Sequence, residues 1–124
     1  MKKFITILAV LLISFAAIGQ TQFRRTYDTA ISSTTGETNS NNVFLFNYGG
    51  TTDLKVYLSS NEIVMYEQLS DFEDGETKSG YKYIIAEYAD KETGYKMHVQ
   101  IFSDRADAVR LLLDDGESIE CTNK

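Results

Sequence analysis

A two-residue alternation of apolar and polar side chains runs through most of this chain, broken at short intervals by glycine, asparagine, aspartate and serine. That period puts successive side chains on opposite faces of an extended backbone, so it argues for strands and against amphipathic helices. The breaks supply residues that tolerate turn conformations. The pattern predicts strands at Phe23–Ile31, Val43–Tyr48, Leu54–Leu58, Ile63–Leu69, Tyr81–Ala89, Tyr95–Phe102, Ala108–Leu113 and Ser118–Thr122. No proline interrupts them, and proline is the residue that cannot donate to a ladder. Ser32–Asn42 (SSTTGETNSNN) has nothing apolar to bury and reads as a flexible polar loop.

Loop lengths set the registers. A three-residue loop at Asp114-Asp115-Gly116, with Gly116 left-handed, sets Leu111 opposite Ile119 and Val109 opposite Cys121. A two-residue loop there would set Leu111 against Glu120, and the apolar match decides for the first. A four-residue loop at Lys91–Gly94 pairs Tyr88 with Met97, Ala86 with Val99 and Ile84 with Ile101. By the same reasoning Ser60-Asn61 pairs Leu58 with Ile63 and Val56 with Met65, and Gly49–Asp53 pairs Phe44 with Leu58 and Phe46 with Val56. These pairings predict one continuous apolar face that includes Ile63 and Met65. Short connections between sequential strands favour an antiparallel order. The expected fold is therefore all-β: an up-and-down meander of seven or eight strands, forming a small barrel or a strongly curved sheet. Large inward residues such as Phe44, Phe46, Leu58, Met65 and Ile84 predict a filled interior.

The N-terminus has a different character. Met1-Lys2-Lys3 is cationic, Phe4 to Ile18 is uncharged and apolar, and Ala17-Ile18-Gly19 supplies small residues before Gln20. This is the layout of a secretory signal peptide, helical while it is present and removed at about residue 19. The apolar run is fifteen residues, short of the roughly 20 needed to span a bilayer. The expectation is an exported protein, periplasmic or secreted, with one domain over residues 20–124 and no stable membrane span after cleavage. The formal charge is −6, and loss of Lys2 and Lys3 makes it −8. Such a domain is repelled by phosphate backbones, which argues against a nucleic-acid partner. A single cysteine, Cys121, leaves no intramolecular disulfide, so packing alone must hold the fold.

Candidate chemistry is sparse. His98 is the only histidine and faces Glu87 across the predicted ladder; such a pair could orient a general base, but no nucleophile accompanies it. Cys121 is predicted inward, packing as a small hydrophobe. Asp71-Phe72-Glu73-Asp74-Gly75-Glu76 has the oxygen ligands calcium uses but lacks the order of a helix-loop-helix calcium loop, and reads as a solvated acidic loop. No catalytic, metal or cofactor site is predicted. The second face carries Val43, Leu45, Tyr57, Val64 and Tyr66, more apolar than a wet sheet face should be. The first strand folding back would cover it, or a partner protein, a second copy or a ligand. Leu45, Tyr57, Val64 and Tyr66 form the predicted contact patch.

The leader ending in Gly19-Gln20, the Asn/Ser/Thr-rich stretch, Asn42–Gly50 (NVFLFNYGG) and the closing Asp-Asp-Gly-Glu hairpin resemble small exported β-rich proteins of Bacteroidota. The resemblance implies export and nothing about activity. The functional expectation is a non-enzymatic binding or protein-interaction module. The alternative is a lipocalin-like carrier of a small apolar ligand, and the third is a small hydrolase using His98.

Overall fold

The computed structural model describes residues 21–103 and 108–123; the leader and residues 104–107 lie outside them. Nine strands follow in chain order: β1 (Phe23–Ser32), β2 (Gly36–Phe46), β3 (Leu54–Tyr57), β4 (Ile63–Gln68), β5 (Glu73–Glu76), β6 (Lys82–Asp90), β7 (Lys96–Phe102), β8 (Val109–Leu113) and β9 (Ser118–Thr122). Every pairing is antiparallel, in the order β4-β3-β2-β1-β9-β8-β7-β6-β5. An added β4–β6 pairing closes eight of the strands into a barrel. β4 pairs with the end of β6 (Gln68 with Tyr88) and β5 with its beginning (Glu73 with Ile85), so β5 continues the β4 edge beyond a kink. The acidic run is thus part strand rather than wholly a loop. Tyr83 lies against Gly75 across the ladder, leaving no room there for a Cβ.

One turn recurs. Gly116 N–H donates to Leu113 O (3.0 Å) and Leu113 N–H to Glu117 O (2.9 Å), with Gly116 at φ +96°. Asn61 N–H donates to Leu58 O and Leu58 N–H to Glu62 O, both at 2.9 Å, with Asn61 at φ 72°. Both are three-residue loops with a left-handed third position, which asparagine tolerates better than most residues. The β8–β9 and β6–β7 registers agree with the sequence-based pairings. The β3–β4 register does not: the third loop residue moves it by one, pairing Val56 with Val64 and Tyr57 with Ile63. That slip turns the whole of β4 over. Ile63 lies outside at 54% exposure, Met65 faces outward beside Lys55, and Val64 and Tyr66 face inward. Between β2 and β3 the slip is two residues, Phe44 with Val56 and Phe46 with Leu54, so the inward face survives. The cause is a longer loop, opened by left-handed Asn47 and a single 3-10 turn at Tyr48–Gly50.

Ser32–Asn42 corrects a second expectation. Only residues 33–35 turn; from Gly36 the chain is already β2. Tertiary ties hold this polar arm extended: Ser33 N–H donates to Ser118 O (2.8 Å), and the Ser32 and Thr34 hydroxyls donate to Glu117 (2.6 and 2.9 Å). The β1–β2 ladder shifts between Tyr27 and Thr29, next to a clamp from the other end of the chain. The Asn123 amide donates to Thr26 O and accepts from Asp28 N–H, both at 3.0 Å, extending the β1–β9 closure.

The interior is packed unevenly. Phe23 stacks on Phe46 at 4.9 Å, Phe46 on Phe44 at 6.1 Å, and Tyr27 meets Phe44 edge-on at 5.8 Å. Leu54 and Tyr88 are fully buried in the same core, and Phe72 packs against it, 6.4 Å from the Tyr88 ring. Phe102, on the outward register of β7, is nonetheless fully buried, beneath Tyr83 (5.5 Å) and the Arg110 guanidinium (5.3 Å). Arg110 is held there by Glu120 at 3.0 Å.

Candidate functional site: the mouth of the barrel

Alternate connections of an antiparallel meander lie at the same end. The β1–β2, β3–β4, β6–β7 and β8–β9 turns therefore ring one opening, opposite the aromatic stack. An eight-stranded barrel encloses just enough space for its own side chains or one small ligand, so side-chain size decides between them. At the aromatic end phenylalanines fill it. At the turn end the inward positions include Ala30 on β1, Ser40 and Asn42 on β2, and Cys121 on β9, which are small or polar. The space they leave is a cleft of about 300 Å³, walled by Phe44, Val56, Leu58, Met97, Leu111 and Ile119, with Ser59 and Ser60 at its lip. The predicted filled interior thus holds at one end only. Met65, an expected filler, lies outside beside Lys55.

A second cavity of about 550 Å³ adjoins the first. Tyr66 and Met97 line both, so these two side chains stand between them. The outer cavity is completed by Leu113, the β6–β7 loop (Asp90, Tyr95, Lys96) and the β8–β9 turn (Asp114, Asp115). Tyr95 is 78% exposed. Asp90 is half-buried, its Oδ1 accepting from the Glu92 and Thr93 amides at 2.7 and 3.2 Å.

Burial pushes the Tyr66 phenol up, and the neighbouring Asp90 charge pushes it further. Tyr88, deeper, is raised by burial, and its hydroxyl donates to Gln68 Oε1 at 3.4 Å. Burial also drives the Cys121 thiol up to about 11, against a hydrogen bond with Asn42 that lowers it. Cys121 is therefore a protonated, packed thiol and not a nucleophile at neutral pH. Asn42, itself buried, donates through Nδ2 to Ser40 O (3.4 Å) and Oγ (3.2 Å). These are the polar groups at the cleft's inner wall.

The predicted contact patch does not survive as one surface. Leu45 and Tyr57 stay on the outer wall, while Val64 and Tyr66 are on the inner one. β1 lies within the sheet, between β2 and β9, and does not fold back over that face. The outer wall of β2–β4 carries Val43, Leu45, Tyr57, Ile63 and Met65 around Lys55. The Lys55 ammonium lies 4.5 Å above the Tyr48 ring and 5.1 Å above the Tyr57 ring. Contacts to Tyr57 and then Tyr48 raise its pKa. His98 faces Glu87 on one side and Leu112 on the other, exposed on the outer wall and away from both cavities. Among the described residues no group of His, Cys, Asp and Glu is placed to hold a metal ion.

Sequence reading missed Ala30, Ser40, Asn42 and Met97 as lining residues. The available signal was small side chains clustered at the turn ends of inward positions; assigning residues 32–42 to a loop concealed it. No protein-family model matches the chain, and neither a curated protein nor a solved structure is significantly similar to it.

Proposed function

We propose that this protein is a non-enzymatic binding module that takes a small, mainly apolar ligand into the mouth of its barrel. The observation that carries the reading is the cleft of about 300 Å³ between inward-facing apolar walls. Its volume is at the lower bound for ligand sites, and the adjoining cavity extends it. A ligand burying about 200 Å² of apolar surface gains roughly 5 kcal/mol before ordering costs, which corresponds to submillimolar binding at best from this term alone. Ser40 and Asn42 offer a polar handle at the inner wall. The chain works outside the cytoplasm, as the leader-like residues 1–19 indicate, and the resemblance to exported proteins of Bacteroidota supports that address.

Native mass spectrometry of the protein purified from an expressing bacterium tests the reading. Extra mass lost on denaturation, or uptake of a neutral naphthyl fluorophore that Cys121→Phe abolishes, is the expected result. A clean protein mass together with no uptake of the fluorophore would remove it. A second reading, protein recognition through the outer wall of β2–β4, is favoured by Ile63 lying 54% exposed beside Tyr57 and Met65. An unchanged sedimentation profile at high concentration, and no partner retained that Ile63→Asp releases, would dismiss it.

A further inference from the structure

We propose that the occupant of the mouth is a cationic amphiphile, with its apolar body against Met97 and Leu111 and a protonated amine between Asp90 and the Asp114-Asp115 turn. The proposal rests on the binding reading and adds the charge of the ligand. Apolar contacts are spread through the inner cleft and into the outer cavity, where Met97 and Leu113 form part of the wall. Charge is not spread in this way. The outer cavity brings three carboxylates, Asp90, Asp114 and Asp115, together with one ammonium, Lys96.

A ligand whose tail fills the cleft and whose head passes Tyr66 and Met97, the side chains the two cavities share, would place its polar end in that outer cavity. A carboxylate placed there meets net repulsion, a neutral group meets no preference, and an ammonium is attracted. Two aromatic rings, Tyr66 and Tyr95, line the same cavity, and a cation gains further from an aromatic face. The Asp90 charge is already felt at the Tyr66 phenol, which separates the two cavities. Asp90 is also fixed in place by the two loop amides it accepts from, so a cation finds it already oriented.

Calorimetric titration with octylamine, octanol, octanoate and ethylamine tests this on the intact protein. Octylamine should bind at least tenfold more tightly than octanoate, with octanol between them and ethylamine unable to compete. The double variant Asp114→Asn/Asp115→Asn keeps the acceptor that holds the Glu117 amide (2.9 Å). It should weaken octylamine roughly fivefold to tenfold and leave octanol within twofold. Raised salt should weaken octylamine alone. Octanol or octanoate binding as tightly as octylamine would overturn the inference about charge while leaving the binding reading in place. Ethylamine competing equally would overturn the amphiphile. Failure of all four to bind would overturn the inference and the binding reading together.

Discussion

Ile63 and Val64 are neighbours in β4, yet they stand on opposite sides of the barrel wall, and replacing each by serine should separate them sharply. Ile63 pairs with Tyr57 on the outside and is already 54% exposed. Ile63→Ser therefore gives up little burial, and the change should stay within about 0.5 kcal/mol. Val64 is half-buried and pairs with Val56, which is buried in the core. Val64→Ser forfeits roughly 1 kcal/mol of apolar burial and leaves a hydroxyl facing apolar neighbours for about 1 kcal/mol more. The sum of about 2 kcal/mol corresponds to a fall in Tm of roughly 10 °C for a domain of this size. Urea and thermal unfolding followed by circular dichroism measure both. A larger loss for Ile63→Ser than for Val64→Ser would refute the register. It would put Met65 inside and Tyr66 outside, and the division of the mouth by Tyr66 would go with it.

Two further outcomes follow from the closure of the barrel and the thiol within it. The folded Cys121 thiol titrates near 11 against an ordinary 9.0, so above pH 9 the unfolded chain releases a proton that the native state keeps. Stability should then fall between about pH 9 and 11, by roughly 2 kcal/mol; a thiol reagent at pH 8 should label only unfolded protein. Comparison with Cys121→Val isolates the effect, and an identical pH slope in the two proteins would remove it. Asn123→Ala deletes both clamp hydrogen bonds and should cost about 1–2 kcal/mol. Hydrogen exchange at the Asp28 amide should accelerate with it, and unchanged protection there would show that the clamp is idle.

Where a turn carries glycine and apolar residues flank it on both sides, register is legible without a structure. The β8–β9 hairpin and the β6–β7 loop are of this kind: one slip would set Leu111 against Glu120, and no chain with a buried face tolerates that. At Asn61 the same turn is written with a residue that also suits other loops, so its length is ambiguous. The flanking Ile63-Val64-Met65 is apolar in either register, and side-chain chemistry cannot choose. Half of the predicted contact patch moved to the other side of the wall for that reason alone.

Alternation and turn residues in the chain itself determined that it forms antiparallel strands in sequential order. They also determined that Cys121 packs inward and that His98 faces Glu87. Closure and the mouth were decided by contacts between residues far apart in the sequence. β1 meets β9 and β4 meets β6 only in three dimensions, and Glu117 and Ser118 hold the polar arm of residues 32–36 extended. Local propensity reports what a segment can bury on its own. The space left by Ala30, Ser40, Asn42 and Cys121 belongs to three strands at once, and it exists only when the barrel brings their ends together.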